Sequence, residues 1–299
     1  MVKFGYVSII GRPNAGKSTL LNSFVGQKVS IISSKPQTTR NNILGIANGD
    51  NYQIVFVDTP GIHAAKNGLD KFMMKSVRTA TSDVDMIVYV LDSTKATKED
   101  EFEYIKNLKE KTDKLIVAVN KTDRSGFEKV YPLLDKLTRL GVCDEIVPIS
   151  ALSGNNVDVL KDVIIKNLPE YEDESVYHFD KDDYTDKSIK FLISEIVREK
   201  TLILLSEEIP HGIAVVVSQY EDKGNLLEVE VEIYCERESH KSIIIGKHGE
   251  MSKQIGSLAR EEIEKLVGKK VLLKIWVRVK KGWKDVQNAL KDFGYIENI

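Results

Sequence analysis

The sequence predicts an α/β domain with a mostly parallel sheet and helices on both faces, followed by a smaller α+β domain. Up to about residue 169, short β-branched runs alternate with helix-like stretches, which is typical of a parallel sheet. Residues 170–186 then carry eight Asp and Glu against one Lys. Beyond them the order of elements changes to helix, two strands, two helices and a final strand. We therefore predict a first domain over 1–169, an acidic linker over 170–186 and a second domain over 187–299.

Length and composition agree with a two-domain globular protein. The chain has 299 residues, of which 42% are hydrophobic and 29% charged. No apolar run approaches the roughly 18 residues of a membrane helix, and residues 1–10 resemble a first strand rather than a signal peptide. Cys143 and Cys235 lie far apart, without the spacing of a disulfide framework or a zinc site. We therefore expect a cytoplasmic protein.

The strands of the first domain are predicted from its apolar runs, at 6–10, 54–57, 85–91, 114–119 and 145–149. One further run, 44–47, is joined to the second strand by Asn-Gly-Asp-Asn at 48–51, which is a hairpin signal. The sheet should therefore carry one antiparallel edge strand.

The second domain should contain a helix over about 186–206, strands at 213–219 and 226–234, two helices, and a strand at 271–279. Residues 228–233 alternate Glu with apolar residues, so this strand should have one solvent-facing side and one buried side. Residues 239–291 carry thirteen Lys and Arg against five Asp and Glu. A basic region of this kind is a nucleic-acid footprint only when it contains a recognition motif.

A phosphate-binding loop is predicted at 11–18, where GRPNAGKS follows the first strand and precedes a helix. Glycines let backbone N–H groups converge on a polyphosphate at the positive end of the helix. Lys17 would neutralise the β- and γ-phosphates, and the Ser18 hydroxyl would bind Mg²⁺. The predicted phosphate-binding residues are Asn14, Ala15, Gly16, Lys17, Ser18 and Thr19.

A second motif, Asp58-Thr59-Pro60-Gly61, ends the strand at 54–57 and should lie beside the phosphate loop. Asp58 can hold Mg²⁺ through water, and the Gly61 N–H can reach a γ-phosphate because no side chain intervenes.

The base should be selected by Asn120-Lys121-Thr122-Asp123, after the strand at 115–119. The Asp123 carboxylate can accept two hydrogen bonds from guanine N1–H and N2–H₂, which adenine does not present. Lys121 can lie across the ring, and Asn120 can tie neighbouring loops together. Ser150-Ala151-Leu152, after the last strand, offers the Ala151 N–H to guanine O6.

This order of motifs, with Gln37-Thr38-Thr39-Arg40 between the first two, resembles the translation-factor-like GTPases. The resemblance implies that Thr39 or Thr38 contacts Mg²⁺ and the γ-phosphate in a first switch loop that GTP orders. It implies a second switch at Asp58, Thr59, Pro60, Gly61 and Ile62, continuing to about residue 75.

Ile62 stands where Ras-like proteins place a glutamine that orients the attacking water. An isoleucine cannot form that hydrogen bond, so intrinsic hydrolysis should be slow. Related GTPases with an asparagine at the place of Asn14 use it to hold a potassium ion against the phosphates. By this resemblance, we hypothesise that Asn14 holds a potassium ion against the phosphates.

In the basic region, Ile243-Ile244-Ile245-Gly246-Lys247-His248-Gly249 places a GxxG between two helices. Such a loop lets the backbone approach a single strand while Lys247 meets its phosphates. The order of elements resembles the type II KH domain. The predicted RNA-binding residues are Ile243, Ile245, Gly246, Lys247, His248, Gly249, Lys253, Lys274, Arg278 and Lys280.

Taken over the whole chain, these motifs resemble the bacterial Era family of ribosome-assembly GTPases: an α/β P-loop GTPase domain plus an α+β type II KH domain. The resemblance implies a monomeric GTP/GDP switch that hydrolyses GTP with Mg²⁺, binds the 3′ end of 16S ribosomal RNA and assists assembly of the 30S subunit. Peripheral association with the inner membrane is also described for the family, although no amphipathic anchor in this sequence supports it.

Two alternatives remain open from the residues alone. The chain could be a constitutive single-stranded RNA-binding protein whose GTPase domain does not switch, which the intact phosphate and base motifs disfavour. A P-loop kinase or ATPase conflicts with the Asp123 motif.

Overall fold

The computed structural model describes residues 1–33, 35, 38–62, 64–82, 84–205 and 212–295. The chain divides into two compact units. The first unit comprises Met1–Ser30, Thr39–Ala64 and Met73–Asp186; the second comprises Ile31–Thr38, Ala65–Phe72 and Lys187–Ile299. Two short segments of the N-terminal half are therefore part of the second unit, which the sequence did not suggest.

The first unit is built on a seven-stranded sheet whose path is β2-β3-β1-β4-β5-β6, with β7 beside β1. Its strands are β1 (Val2–Ile10), β2 (Ile43–Gly49), β3 (Tyr52–Asp58), β4 (Met86–Asp92), β5 (Leu115–Asn120), β6 (Glu145–Pro148) and β7 (Glu170–Tyr171). The pairs along β3-β1-β4-β5-β6 are parallel. The β2–β3 hairpin is antiparallel, which confirms the predicted edge strand.

The helices described between these strands are α1 (Lys17–Val25), α2 (Gly68–Thr79), α3 (Glu99–Lys109), α4 (Thr122–Ser125), α5 (Phe127–Leu140) and α6 (Val157–Asn167). The first residues of α2, up to Phe72, belong to the second unit. Strands β4 and β5 are buried along their whole lengths. Burial of this kind is expected for parallel strands covered by helices on both faces.

Residues 170–186, which we expected to be a linker, are part of the first unit. The strand β7 pairs with β1, and the Gln53 side chain bonds the main chain of His178 and Phe179 at 2.8 to 3.2 Å. The Ile46 N–H donates to the Tyr184 carbonyl at 3.1 Å, so this segment satisfies part of the edge of β2. These bonds all engage the main chain of residues 170–186, and an acidic composition does not reveal them.

The second unit has a three-stranded sheet in the order β10-β9-β8, with β9 and β10 parallel and β8 antiparallel to β9. Its elements from residue 187 onward are α7 (Ile189–Leu204), β8 (Ala214–Asp222), β9 (Leu226–Cys235), α8 (Glu238–Ile245), α9 (Glu250–Val267), β10 (Lys270–Val279) and α10 (Gln287–Asp292). The predicted alternation of β9 is present, since every second residue is buried. Its apolar face joins one core cluster with α7, α8 and α9. Among the described residues, no helix is long and apolar enough to cross a membrane.

Candidate nucleotide and RNA sites

The N-terminal motifs meet at one edge of the first unit's sheet. Asp58 ends β3, and Asp92 and Asn120 are paired at the ends of β4 and β5. The carboxyl ends of parallel strands share one edge, where α/β proteins bind their ligands. The phosphate loop follows β1 at this edge, and the Ile62 N–H donates to the Gly11 carbonyl at 3.3 Å. The first and second motifs are therefore adjacent, as predicted.

Lys17 is the first residue of α1, and Gly16 caps its N-terminus. The ammonium is buried, with 6% of the residue exposed, and it donates to the carbonyls of Gly11 (3.1 Å) and Arg12 (3.2 Å). Burial lowers the pKa of Lys17 to about 8, and the nearby Asp58 carboxylate opposes that shift. This ammonium is held over the loop where a polyphosphate would lie.

Three predicted magnesium ligands converge beside Lys17. The Ser18 hydroxyl donates to Asp58 Oδ2 at 2.8 Å and lies 2.9 Å from the Thr39 hydroxyl. Ser30, which the motifs did not include, also donates to Asp58 Oδ2 at 2.9 Å. Burial raises the pKa of Asp58, while Lys17 and these hydroxyl donors lower it.

These side chains suit Mg²⁺. Asp58 Oδ1 is buried and has no hydrogen-bond partner among the described residues. Carboxylate and hydroxyl oxygens are ligands that a small hard cation accepts, in a site completed by water and phosphate. Clusters of three or more His, Cys, Asp or Glu suited to a metal do not occur in the described part of the chain.

The structure separates the two threonines that the sequence left open. Thr39 is buried and its hydroxyl lies at the Asp58 cluster. The Thr38 hydroxyl instead donates to the Lys35 carbonyl at 2.6 Å. Arg40 is buried. Gln37 lies outside the described residues.

The remaining residues of the second motif are buried, and they contact the end of β1 and the phosphate loop. The Thr59 hydroxyl donates to the Ile9 carbonyl at 2.9 Å, and Pro60 is buried. At Gly61 a Cβ would come within 2.7 Å of the Pro13 Cα, so only glycine fits without a shift of the backbone.

Asn120 ties two loops together, as predicted. Its Nδ2 donates to the Ala15 carbonyl at 2.8 Å and its Oδ1 accepts from the Ala151 N–H at 2.9 Å. Ser150 is fully buried, and Asp123 and Leu152 are exposed. The base-selecting motif and the last loop therefore stand next to the phosphate loop.

Lys121 makes contacts that the sequence did not predict. Its ammonium donates to the Asn14 carbonyl and to Asp92 Oδ2, the latter at 2.7 Å. Lys121 lowers the pKa of Asp92, against the effect of burial. The sequence could have indicated Asp92, because it ends a buried strand at the same edge of the sheet as Asp58 and Asn120.

In the second unit, the GxxG loop joins α8 to α9. Gly246, His248 and Gly249 all have positive φ, and Lys247 and His248 are exposed. Ile243 is exposed, Ile245 is partly buried, and the intervening Ile244 belongs to the core. The loop therefore presents its charged residues to solvent.

A cleft of about 390 Å³ begins at this loop and runs between α9 and β10. It is lined by Gly249, Ser252, Lys253, Gly256, Ser257, Arg260, Leu273 and Ile275. Of these, the sequence predicted Gly249 and Lys253. The others were not named from the sequence, although Gly256, Ser257 and Arg260 lie three, four and seven residues after Lys253 and therefore share its face of α9.

The predicted residues on β10 are not brought to this cleft. Leu273 and Ile275 line it, so Lys274 and Arg278 lie on the opposite face of the strand. There Lys274 pairs with Glu230 at 2.9 Å and Arg278 with Glu232 at 2.7 Å. Lys280, just after the strand, pairs with Asp292 at 3.1 Å. The acidic face of β9 thus neutralises much of the positive track expected along this strand.

Two family models match the chain. One describes a 50S ribosome-binding GTPase and matches residues 6–121. The other describes a KH domain and matches residues 208–284. These matches fall on the two sites described above.

Curated relatives match along the whole length. GTPase Era of Clostridium botulinum (strain Alaska E43 / Type E3) is 46% identical over 296 residues, covering 99% of both chains. GTPase Era of Clostridium kluyveri is 45% identical, covering 99% of this chain and 100% of the relative.

Solved structures of Era also match this chain along its whole length. Era in complex with MgGDPNP and nucleotides 1506–1542 of 16S ribosomal RNA has a TM-score of 0.93 and 40% identity, covering 99% of this chain and 100% of that chain. A variant of Aquifex aeolicus Era bound to GDP and tetrafluoroaluminate matches to the same extent. Full-length identity of this order, together with the nucleotide site and the KH fold, shows that the chain belongs to the Era family of GTPases.

Proposed function

We propose that this GTPase is a switch that binds the 3′ end of 16S ribosomal RNA through its KH unit and assists assembly of the 30S subunit. The observation that carries the proposal is the convergence of Ser18, Thr39 and Asp58 beside the buried ammonium of Lys17. Thr39 comes from a loop and not from the sheet, so its presence at the cluster can depend on the nucleotide.

The residues divide the work of holding GTP. The phosphate loop offers backbone N–H groups and the N-terminus of α1, and Lys17 neutralises phosphate oxygens. Ser18 and Thr39 would hold Mg²⁺ directly and Asp58 through water. The bound Mg²⁺ supplies charge that stabilises the transferred phosphoryl group. Asp123 accepts from guanine N1–H and N2–H₂, while Asn120 keeps its loop against the phosphate loop.

The attacking water cannot be positioned here as it is in a Ras-like site, where a glutamine orients it. Ile62 is partly buried and has no polar side chain, so it cannot orient the attacking water. We assign to Asn14 the binding of a potassium ion that stabilises the phosphates in the transition state. Its support is the residue type in the phosphate loop and the absent glutamine. GTP hydrolysis should then be faster in potassium than in sodium buffer, and equal rates would exclude the assignment.

The RNA would bind along the cleft between α9 and β10. A GxxG loop in a KH domain holds about four nucleotides by their backbone. Lys247 in the loop and Lys253 and Arg260 on α9 supply positive charge, and Leu273 and Ile275 supply an apolar wall for bases. A relative 40% identical to this chain was solved with 16S ribosomal RNA.

Filter binding with an RNA matching the 16S 3′ end tests this function. RNA affinity should be higher with a GTP analogue than with GDP, because a switch requires RNA to bind one nucleotide state better. Lys247→Ala should lower affinity about tenfold, whereas Lys274→Ala, on the opposite face of β10, should change it less than twofold. Equal affinity in the GTP-analogue, GDP and nucleotide-free states would instead indicate a constitutive RNA-binding protein.

The peripheral membrane association and the monomeric state that the family resemblance implies stay predictions. Sedimentation with vesicles and light scattering test them.

A further inference from the structure

Ser30 carries a buried hydroxyl beside the predicted magnesium ligands, although it belongs to none of the sequence motifs. The residue is 1% exposed, and its Oγ donates to Asp58 Oδ2 at 2.9 Å. The same carboxylate oxygen accepts from the Ser18 hydroxyl at 2.8 Å and from the Thr39 hydroxyl at 3.4 Å. Three hydroxyl groups therefore converge on one oxygen of Asp58.

The two oxygens of Asp58 are satisfied unequally. Asp58 is fully buried, and its Oδ1 has no hydrogen-bond partner among the described residues. A buried carboxylate oxygen without a partner is costly, which indicates a functional use for that atom. Because Oδ2 is occupied by three donors, Oδ1 is the oxygen that can accept from a water molecule on Mg²⁺.

Ser30 differs from the other two donors in having no role as a ligand. Ser18 and Thr39 are the proposed direct ligands of Mg²⁺, so the position of each of these hydroxyls depends on the ion as well as on Asp58. The Ser30 hydroxyl can hold Oδ2 whether or not the ion is bound. It is therefore suited to fixing the carboxylate before Mg²⁺ arrives.

The main chain at Ser30 is held by the side chain of Asn22, which belongs to α1. Asn22 Oδ1 accepts from the N–H groups of Val29 and Ser30, both at 3.0 Å, and Asn22 Nδ2 donates to the Ser30 carbonyl at 2.7 Å. Between them, Gly26 caps the end of α1 in the left-handed conformation, at φ +74°. Three bonds from one amide thus fix residues 29 and 30 to the helix that also carries Ser18.

We propose that Asn22 and Ser30 are positioning residues of the magnesium site. Asn22 holds the Ser30 hydroxyl in place, and Ser30 holds Asp58 by Oδ2, so that Oδ1 stays available for the water through which Asp58 binds Mg²⁺. All three residues lie in the first unit. The inference rests on the proposed function, in which Asp58 takes part in holding Mg²⁺.

The test measures how binding of a non-hydrolysable GTP analogue to the full-length protein depends on Mg²⁺. Ser30→Ala removes one hydroxyl and adds no atom. It should raise the Mg²⁺ concentration for half-maximal binding of the analogue about tenfold, because a hydrogen bond to a buried charge is lost. In EDTA, the affinity for the analogue should stay within twofold of wild type, because Ser30 is assigned no contact with the phosphates.

Ser8→Ala is the matched control. Ser8 is also fully buried in the first unit, on β1, and its Oγ has no hydrogen-bond partner among the residues that the structure describes. Ser8→Ala should therefore change neither the Mg²⁺ requirement nor the affinity in EDTA. A Mg²⁺ requirement of Ser30→Ala within twofold of wild type would overturn the proposal. An equal loss of affinity with Mg²⁺ and in EDTA would also overturn it, since a merely structural role predicts that result.

A double-mutant cycle tests whether Asn22 acts through Ser30. Asn22→Ala removes all three bonds to residues 29 and 30, so it should raise the Mg²⁺ requirement about as much as Ser30→Ala. The double variant should need no more Mg²⁺ than the more affected single variant, because both changes act on the same hydroxyl. A Mg²⁺ requirement raised by the product of the two single effects would overturn the role given to Asn22.

The outcome for Ser30 does not depend on the Asn22 variants, because Ser30→Ala decides it even if Asn22→Ala does not fold. Failure of the proposed function gives a different result. Wild type would then bind the analogue equally well with Mg²⁺ and in EDTA, which would remove the magnesium site itself. Failure of the inference alone leaves wild type dependent on Mg²⁺ and Ser30→Ala no more dependent than wild type.

Discussion

Replacing Asn120 by alanine should destabilise the first unit and weaken nucleotide binding together. Asn120 is 2% exposed, and its amide joins the Ala15 carbonyl to the Ala151 N–H through two bonds of 2.8 and 2.9 Å. Asn120→Ala leaves both main-chain groups buried without that partner. Each buried unsatisfied polar group costs about 1–3 kcal/mol. We therefore expect a loss of about 2–6 kcal/mol in the free energy of unfolding, out of the about 5–15 kcal/mol typical of a domain.

Urea unfolding followed by circular dichroism measures this loss. Tryptophan fluorescence would not serve, since Trp276 and Trp283 both lie in the second unit. Asn167→Ala is the matched control, because the Asn167 amide donates one bond within its own helix and should lose less than about 1 kcal/mol. GDP affinity of Asn120→Ala should fall in the same experiment series, because the base loop is no longer held to the phosphate loop.

Asn120→Asp makes the prediction sharper. The carboxylate keeps an acceptor for the Ala151 N–H but loses the donor to the Ala15 carbonyl, and at neutral pH it places negative charge against that oxygen. Its loss of stability should be at least as large as that of Asn120→Ala. A free energy of unfolding for Asn120→Ala within about 1 kcal/mol of wild type, at an unchanged denaturant slope, would show that these two bonds contribute little to stability.

Three further predictions follow from the two sites. Burial lowers the pKa of Lys17 to about 8, and phosphate binds the charged form, so GTP affinity should fall about twofold by pH 8 and about tenfold by pH 9. Titrations with Lys17→Met should lack this fall, and an equal fall in both proteins would contradict the assignment. Gly61→Ala would place a Cβ 2.7 Å from the Pro13 Cα, and stopped-flow measurements should show slower hydrolysis with GDP affinity unchanged. Gly246→Ala combines φ +74° with a Cβ 2.7 Å from that of Met251, so filter binding should show at least tenfold weaker RNA binding; wild-type affinity would show that the loop conformation is not required.

Periodicity and motif spacing were sufficient to predict the sheet of the first unit and the alternation of β9. Buried parallel strands are continuous apolar runs, and a half-exposed strand alternates, so both patterns are visible in the sequence. Because motifs that follow parallel strands must meet at one edge, the neighbourhood of Asp58 and Asn120 was also predictable.

Other features depend on contacts that no local pattern encodes. Ile31 is an apolar residue in a polar loop, and nothing in its neighbours indicates that it belongs to the core of the second unit. Whether Thr38 or Thr39 faces the magnesium ligands depends on the backbone conformation at these two neighbouring residues, which the repeated threonine does not encode. The charge of Lys274 was visible, but its pairing with Glu230 follows from the register of β9 and β10.

The central claim is that Lys17 and Asp123 serve one bound guanine nucleotide. Competition binding with wild type and Asp123→Asn tests it most directly, using GTP, ATP and xanthosine triphosphate. Xanthine presents an acceptor where guanine presents its amino group, so an asparagine amide should suit it better than a carboxylate. We expect wild type to bind GTP more tightly than ATP by orders of magnitude. Asp123→Asn should lose affinity for GTP and gain affinity for xanthosine triphosphate. Equal competition by ATP and GTP in the wild type, or unchanged GTP affinity in Asp123→Asn, would contradict the claim.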